Sequence, residues 1–85
     1  MVNLKKIREV SLVDEVSSTV SYIGTARIPS GMSLSKAMTL PMWQIIKIAK
    51  PANISYQYYP LDNDALLSPD RIFIWDDRTS LTYDS

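Results

Sequence analysis

Two clusters of oxygen-bearing side chains are the first place to look for chemistry in this chain. Asp62, Asn63 and Asp64 form one run, and Asp76 with Asp77 forms another. A hard cation such as Ca²⁺ needs several such oxygens close together. The first run lacks the glycine and the closing glutamate of an EF-hand loop, so both clusters read as solvated turn carboxylates and no metal site is expected. Paired carboxylates also serve glycoside hydrolysis, but a chain of 85 residues leaves no room for a deep cleft beside them. Histidine and cysteine are both absent. That removes imidazole bases, thiol nucleophiles, Cys/His zinc sites, iron–sulfur clusters and disulfides together. A serine–lysine pairing is the remaining nucleophilic arrangement, and no spacing supports one. The chain reads as a non-enzyme without a cofactor.

Composition bounds the rest. An apolar fraction of 46% with 21% charged residues is ordinary for one small folded domain. No apolar run approaches a membrane span, and no apolar stretch follows the basic residues of the N-terminus as a secretory signal would require. No membrane partner is expected. Nine basic residues balance nine acidic ones. The balance is uneven along the chain. Residues 1–50 hold seven basic against three acidic residues, a net of +4, and residues 51–85 hold two against six, a net of −4. Two readings follow: the halves attract each other within one fold, or the molecule has two poles that stack copy to copy. Zero net charge removes the self-repulsion that keeps small proteins apart, so self-association costs little.

The elements that would position any site read mostly as strands. Residues 1–17 are the least decisive: Val2, Leu4, Ile7 and Val10 loosely follow helical spacing, while 10–16 is rich in β-branched residues. An arm that packs on a neighbour, an edge strand and a helix all fit this segment. Residues 18–85 read as a small β domain. Ser18 to Ile28 is dense in strand formers, with Gly24 marking a bulge or a close backbone approach, and Pro29-Ser30-Gly31 closes it as a turn. Ser33 can cap a short helical turn that Pro41 limits. A hairpin is predicted over 42–59, placing Trp43, Ile45 and Lys47 on one face and Gln44, Ile46 and Ile48 on the other. Pro60 to Asp64 is turn chemistry, and Ile72-Phe73-Ile74-Trp75 is a final short core strand. The expected fold is all-β, a single-domain barrel or sandwich of four to six short strands with one helical turn.

Tyr22, Trp43, Tyr56, Tyr58 and Tyr59 offer stacking platforms for single-stranded nucleic acid. The tyrosine-rich strand lies in the acidic half, where the positive groove such binding needs is missing, so nucleic acid is the alternative and not the expected partner. The segments Tyr22-Ile23-Gly24-Thr25-Ala26, Trp43-Gln44-Ile45-Ile46-Lys47-Ile48 and Ile74-Trp75-Asp76-Asp77-Arg78-Thr79-Ser80-Leu81-Thr82-Tyr83 come in a telling order. Together they resemble a group of small virion-associated proteins of tailed bacteriophages. That group shares a Tyr-(Ile/Val)-Gly-x-Ala start, a Trp-x-Ile-x-(Lys/Arg)-Ile centre and a Trp-Asp-(Asp/Asn)-Arg-x-Ser-Leu-x-Tyr end. The similarity covers residues 20–83. It departs at Pro60-Leu61-Asp62-Asn63-Asp64, where the group has a Gly-containing acidic turn and an aromatic, and residues 1–17 look added. The resemblance implies a virion location, a structural role in capsid decoration or tail and fibre attachment, virion proteins as partners, and a homo-oligomer or multi-copy assembly. In the chemistry of its residues, Trp75-Asp76-Asp77-Arg78 is an interlock: the tryptophan anchors in apolar surface while Arg78 bridges a carboxylate. Tyr83, Trp43 and Tyr22 complete the expected lock, either within one chain or between subunits.

Overall fold

The structure is a computed structural model that describes residues 7–51 and 53–83. Among these residues, five strands form one antiparallel sheet. β1 (Ile7–Glu15) pairs along its whole length with β2 (Val20–Pro29), which pairs in turn with β3 (Pro41–Ala49). The far edge of β3 is shared by β4 (Tyr56–Tyr58) at one end and β5 (Phe73–Ile74) at the other. A single helical turn, α1 (Leu34–Ala37), stands between β2 and β3, and a 3₁₀ turn (Trp75–Asp77) follows β5.

Local chemistry sets the corners. Ser17 Oγ accepts from the Thr19 and Val20 N–H groups, holding the β1–β2 turn. Gly31 takes a φ of +93°, a left-handed backbone that a side chain would oppose, and so completes the turn after Pro29. Ser33 caps α1 by accepting from the Lys36 N–H. Pro41 ends the helical stretch and opens β3, where a missing N–H costs least. The Asp62 carboxylate accepts from the N–H groups of Asp64 and Leu66. That carboxylate folds a turn, as the sequence predicts.

Strand alternation then sorts the side chains. Tyr22, Ala26 and Ile28 of β2 and Trp43 and Ile45 of β3 are buried on one face, joined by Ala37, Phe73, Trp75 and Tyr83. Val10 and Leu12 of β1 pack against them. The segment after β5 crosses this face and is its cover. The opposite face carries Val13, Ile23 and Ile46 in one cross-strand row, with Ile48 beside it. Val13 is 63% exposed.

The all-β class, the strand count and the helical turn follow the sequence reading, and the sheet is open. Closing it into a barrel would require β4 and β5, three and two residues long, to pair with the nine residues of β1. The chain instead spends residues 75–83 on covering one face, so among the described residues there is neither closure nor a second sheet. Residues 7–15 take the edge-strand alternative considered for the N-terminal segment, whereas Val2, Leu4, Lys5 and Lys6 lie outside the described residues. The hairpin over 42–59 forms with Lys47 opposite Tyr58 and Ala49 opposite Tyr56. Of the apolar run at 72–75, only Phe73 and Ile74 are strand; Trp75 turns out of it.

Candidate interaction site around the Trp75–Tyr83 segment

The cover is held by aromatic packing first. Trp75 lies over Gly24, whose missing side chain is what admits the ring: a Cβ there would overlap the six-membered ring of Trp75 and come within 3.2 Å of Trp43. This is the close approach that a glycine inside a strand pattern predicts, and the ladder runs through Gly24 in unbroken register with no bulge. Trp43 and Trp75 meet with ring centroids 5.8 Å apart, and Tyr22 meets Tyr83 at 5.7 Å. Both pairs sit in the tilted range that aromatic quadrupoles favour. The Trp43 indole N–H donates to the Ala37 carbonyl at 2.8 Å, which ties α1 to the sheet and satisfies a buried donor.

Arg78 gathers the rest. Its guanidinium lies 4.5 Å from the centre of the Trp75 ring, donates from Nε to Asp14 at 2.9 Å, and donates from a terminal nitrogen to the Trp75 carbonyl at 3.1 Å. The Tyr83 hydroxyl donates to the Arg78 carbonyl at 2.6 Å. One cation thus joins the first strand to the last segment. Its fork engages one carboxylate and one carbonyl, not the bidentate carboxylate bridge expected from sequence.

Of the seven expected lock residues, Trp75, Arg78, Tyr83, Trp43 and Tyr22 come together within one chain. The Asp76 and Asp77 residues are exposed. Their part is played by the backbone, since Asp76 N–H donates to the Met38 carbonyl and the Asp77 carbonyl accepts from Ser80. Asp14 and Ala37 are partners that sequence reasoning missed. A carboxylate 64 positions from its arginine, and a backbone carbonyl, leave no local signal.

The charge asymmetry resolves differently from the simple attraction of a basic and an acidic half. The ion pairs that cross between halves are Glu9–Arg71 at 3.1 Å and Asp14–Arg78 at 2.9 Å. Each uses an acid of the basic half and a base of the acidic half. No described ion pair engages the surplus Lys36, Lys47 and Lys50 or the surplus Asp62, Asp64, Asp70, Asp76 and Asp77.

Beside the lock, the same face opens into a cleft of about 480 Å³ lined by Lys47, Ala49, Tyr58, Leu81, Thr82 and Tyr83. Lys47 Nζ stands 5.7 Å from the centre of the Tyr83 ring. Burial pushes the Tyr83 phenol up from its ordinary value, with Tyr22 adding to the rise and Arg78 opposing it. The phenol is therefore a hydrogen-bond donor at neutral pH and no base. The cleft holds a single lysine and no carboxylate among its lining residues.

The raised phenol has a consequence for stability. An unfolded Tyr83 ionises near pH 10, whereas the folded one keeps its proton further up. Its contribution is complete below about pH 10 and drains away as the pH rises through the folded value. Tyr83→Phe is expected to cost about 1 kcal/mol near neutrality by orphaning the Arg78 carbonyl. The same variant should show a shallower loss of stability than wild type above about pH 10, because the linked ionisation is gone. Urea unfolding at neutral and alkaline pH reads both, and parallel pH profiles for the two proteins would refute the linkage.

Of the five aromatic platforms considered for single strands, Trp43 and Tyr22 are buried in the core. Tyr56 and Tyr59 are exposed, and Tyr56 lies 6.4 Å from Tyr58. No family model, curated protein or solved structure matches the chain.

Proposed function

We propose that this chain is a non-enzymatic structural or accessory protein of a tailed-bacteriophage virion, acting through protein–protein contacts in capsid decoration or in tail and fibre attachment. The observation that carries the reading is where its apolar surface lies. Ile7 and Val13 are more than 60% exposed on the face of the edge strand opposite the Trp75–Tyr83 cover. Val13 heads the row that continues through Ile23 and Ile46. An apolar row across three strands, outside any cleft, suits burial against another protein surface. The resemblance to virion proteins supports the same reading, and the residues that carry it have a structural use here. Trp43, Trp75, Arg78 and Tyr83 hold the cover on the sheet.

Quantitative mass spectrometry of purified particles from the source virus tests the proposal. A copy number comparable with that of the major capsid protein means decoration of the lattice. A small number per particle means a tail, collar or fibre component. Absence from the particle overturns the reading.

Exposed Tyr56 beside half-buried Tyr58, with Lys47 opposite Tyr58 in the hairpin, favours one second reading, a module that binds single-stranded nucleic acid. Oligonucleotide binding that weakens steeply with salt and is lost in Tyr56→Ala would establish it.

A further inference from the structure

We propose that the outer edge of β1 pairs with β1 of a second copy of this chain, antiparallel, with Ser11 opposite Ser11 at a two-fold axis. The inference stands on β1 alone and does not depend on the virion reading.

Backbone direction shows which groups the edge offers. The Val20 carbonyl accepts from Val16 and Ser17 on the β1 side, and the Thr19 carbonyl accepts from Lys50 on the β3 side. Alternation along β2 therefore aims Val20, Tyr22, Gly24, Ala26 and Ile28 at β1. Through the register, Arg8, Val10, Leu12 and Asp14 spend their N–H and C=O groups on β2. Ile7, Glu9, Ser11, Val13 and Glu15 aim theirs outward, where no described strand pairs with them. The edge is nine residues long, without proline or a bulge. Of the devices that blunt an edge it has charged side chains alone, Arg8, Glu9, Asp14 and Glu15, which a two-fold axis at Ser11 sets against opposite charges or uncharged residues. Among the described residues, the opposite edge of the sheet carries only the short β4 and β5.

The occupant is chosen by self-complementarity. With Ser11 on the axis, all nine residues of β1 find partners: Arg8 faces the partner's Asp14, Val10 faces Leu12, and Glu9 faces Val13. The ion pair repeats by symmetry, and no like charges oppose. Asp14 binds Arg78 through Oδ2, which leaves Oδ1 for a second cation. Moving the axis to Leu12 would set Glu9 against Glu15 twice. Moving it to Val10 would pair only seven of the described residues and leave no ion pair among them. Zero net charge adds no long-range repulsion between copies.

Cysteine substitution tests the register in the full chain, which has no cysteine of its own. Hydrogen-bonded antiparallel partners have Cα atoms about 5.5 Å apart, within the disulfide range. Ser11→Cys is expected to form a covalent dimer on mild oxidation. Glu9→Cys and Val13→Cys should each stay single when oxidised alone and cross-link when mixed, since position 9 faces position 13 across the axis. Ser11→Pro removes an outward N–H that β2 does not use, so it should keep the circular dichroism spectrum while sedimentation equilibrium falls from two chains to one. Wild-type protein that sediments as one chain at every concentration overturns the proposal. Self-cross-linking of Glu9→Cys or Val13→Cys as readily as Ser11→Cys also overturns it.

Discussion

Gly24→Ala is expected to destabilise the domain by about 2–3 kcal/mol, although it adds only one methyl group. Alanine is at home in a strand by conformation, and Gly24 shows no positive φ that would exclude it. The penalty is steric. The added carbon would overlap the Trp75 ring, and Trp75 cannot simply lift. Trp75 is pressed against Trp43 at 5.8 Å, lies beneath the Arg78 guanidinium, and belongs to a 3₁₀ turn hydrogen-bonded to Met38. Relief therefore means moving the whole cover or the β2 backbone. A double-mutant cycle separates this from any intrinsic strand effect. Trp75→Leu alone should cost stability through lost burial, but combined with Gly24→Ala the two costs should fall short of their sum by about 1 kcal/mol or more. Urea unfolding of the four proteins gives the coupling, and strict additivity would show that the ring and the glycine do not compete for space.

What could be read in advance divides along physical lines. The faces of β3 were legible because a half-buried antiparallel strand shows period two, and Trp43 and Ile45 show it, whereas β2 was legible as a strand from its β-branched and aromatic residues. The Ser33 cap and the Asp62 turn were legible because the side chain and its backbone partners are close in sequence. β1 was ambiguous for an equally definite reason. Its core-side residues are Arg8, Val10, Leu12 and Asp14, so charges stand at both ends of the inward stripe and break the pattern. Asp14 is there to meet Arg78, a long-range fact with no local trace. Trp75 continues an apolar run that reads as strand, and only its seat over Gly24 draws it into a turn. Openness of the sheet was illegible too, because it depends on where residues 75–83 lie and not on the periodicity of any strand.

Arg78→Ala is the second large effect expected, a loss of about 2 kcal/mol in the isolated chain. A fully buried ion pair broken on one side costs about 3–5 kcal/mol. The side chains of Arg78 and Asp14 keep 23% and 32% of their exposure, so water offsets part of that loss. The guanidinium also supplies a hydrogen bond to the Trp75 carbonyl and a face for the Trp75 ring. For a domain of this size the change corresponds to a fall of roughly 10 °C in melting temperature. Arg78→Lys should recover only part of it, because an ammonium can meet Asp14 but lacks the planar fork that reaches Asp14 and the Trp75 carbonyl together. Asp14→Asn probes the same link from β1, and its cost should be largely absorbed when Arg78 is already alanine. Thermal melts on the monomer decide whether this link holds the chain to itself. A melting temperature untouched by Arg78→Ala, with assembly lost, would move the lock from the fold to an interface between molecules. A lowered melting temperature that Asp14→Asn reproduces would keep it as the tie between the first strand and the cover.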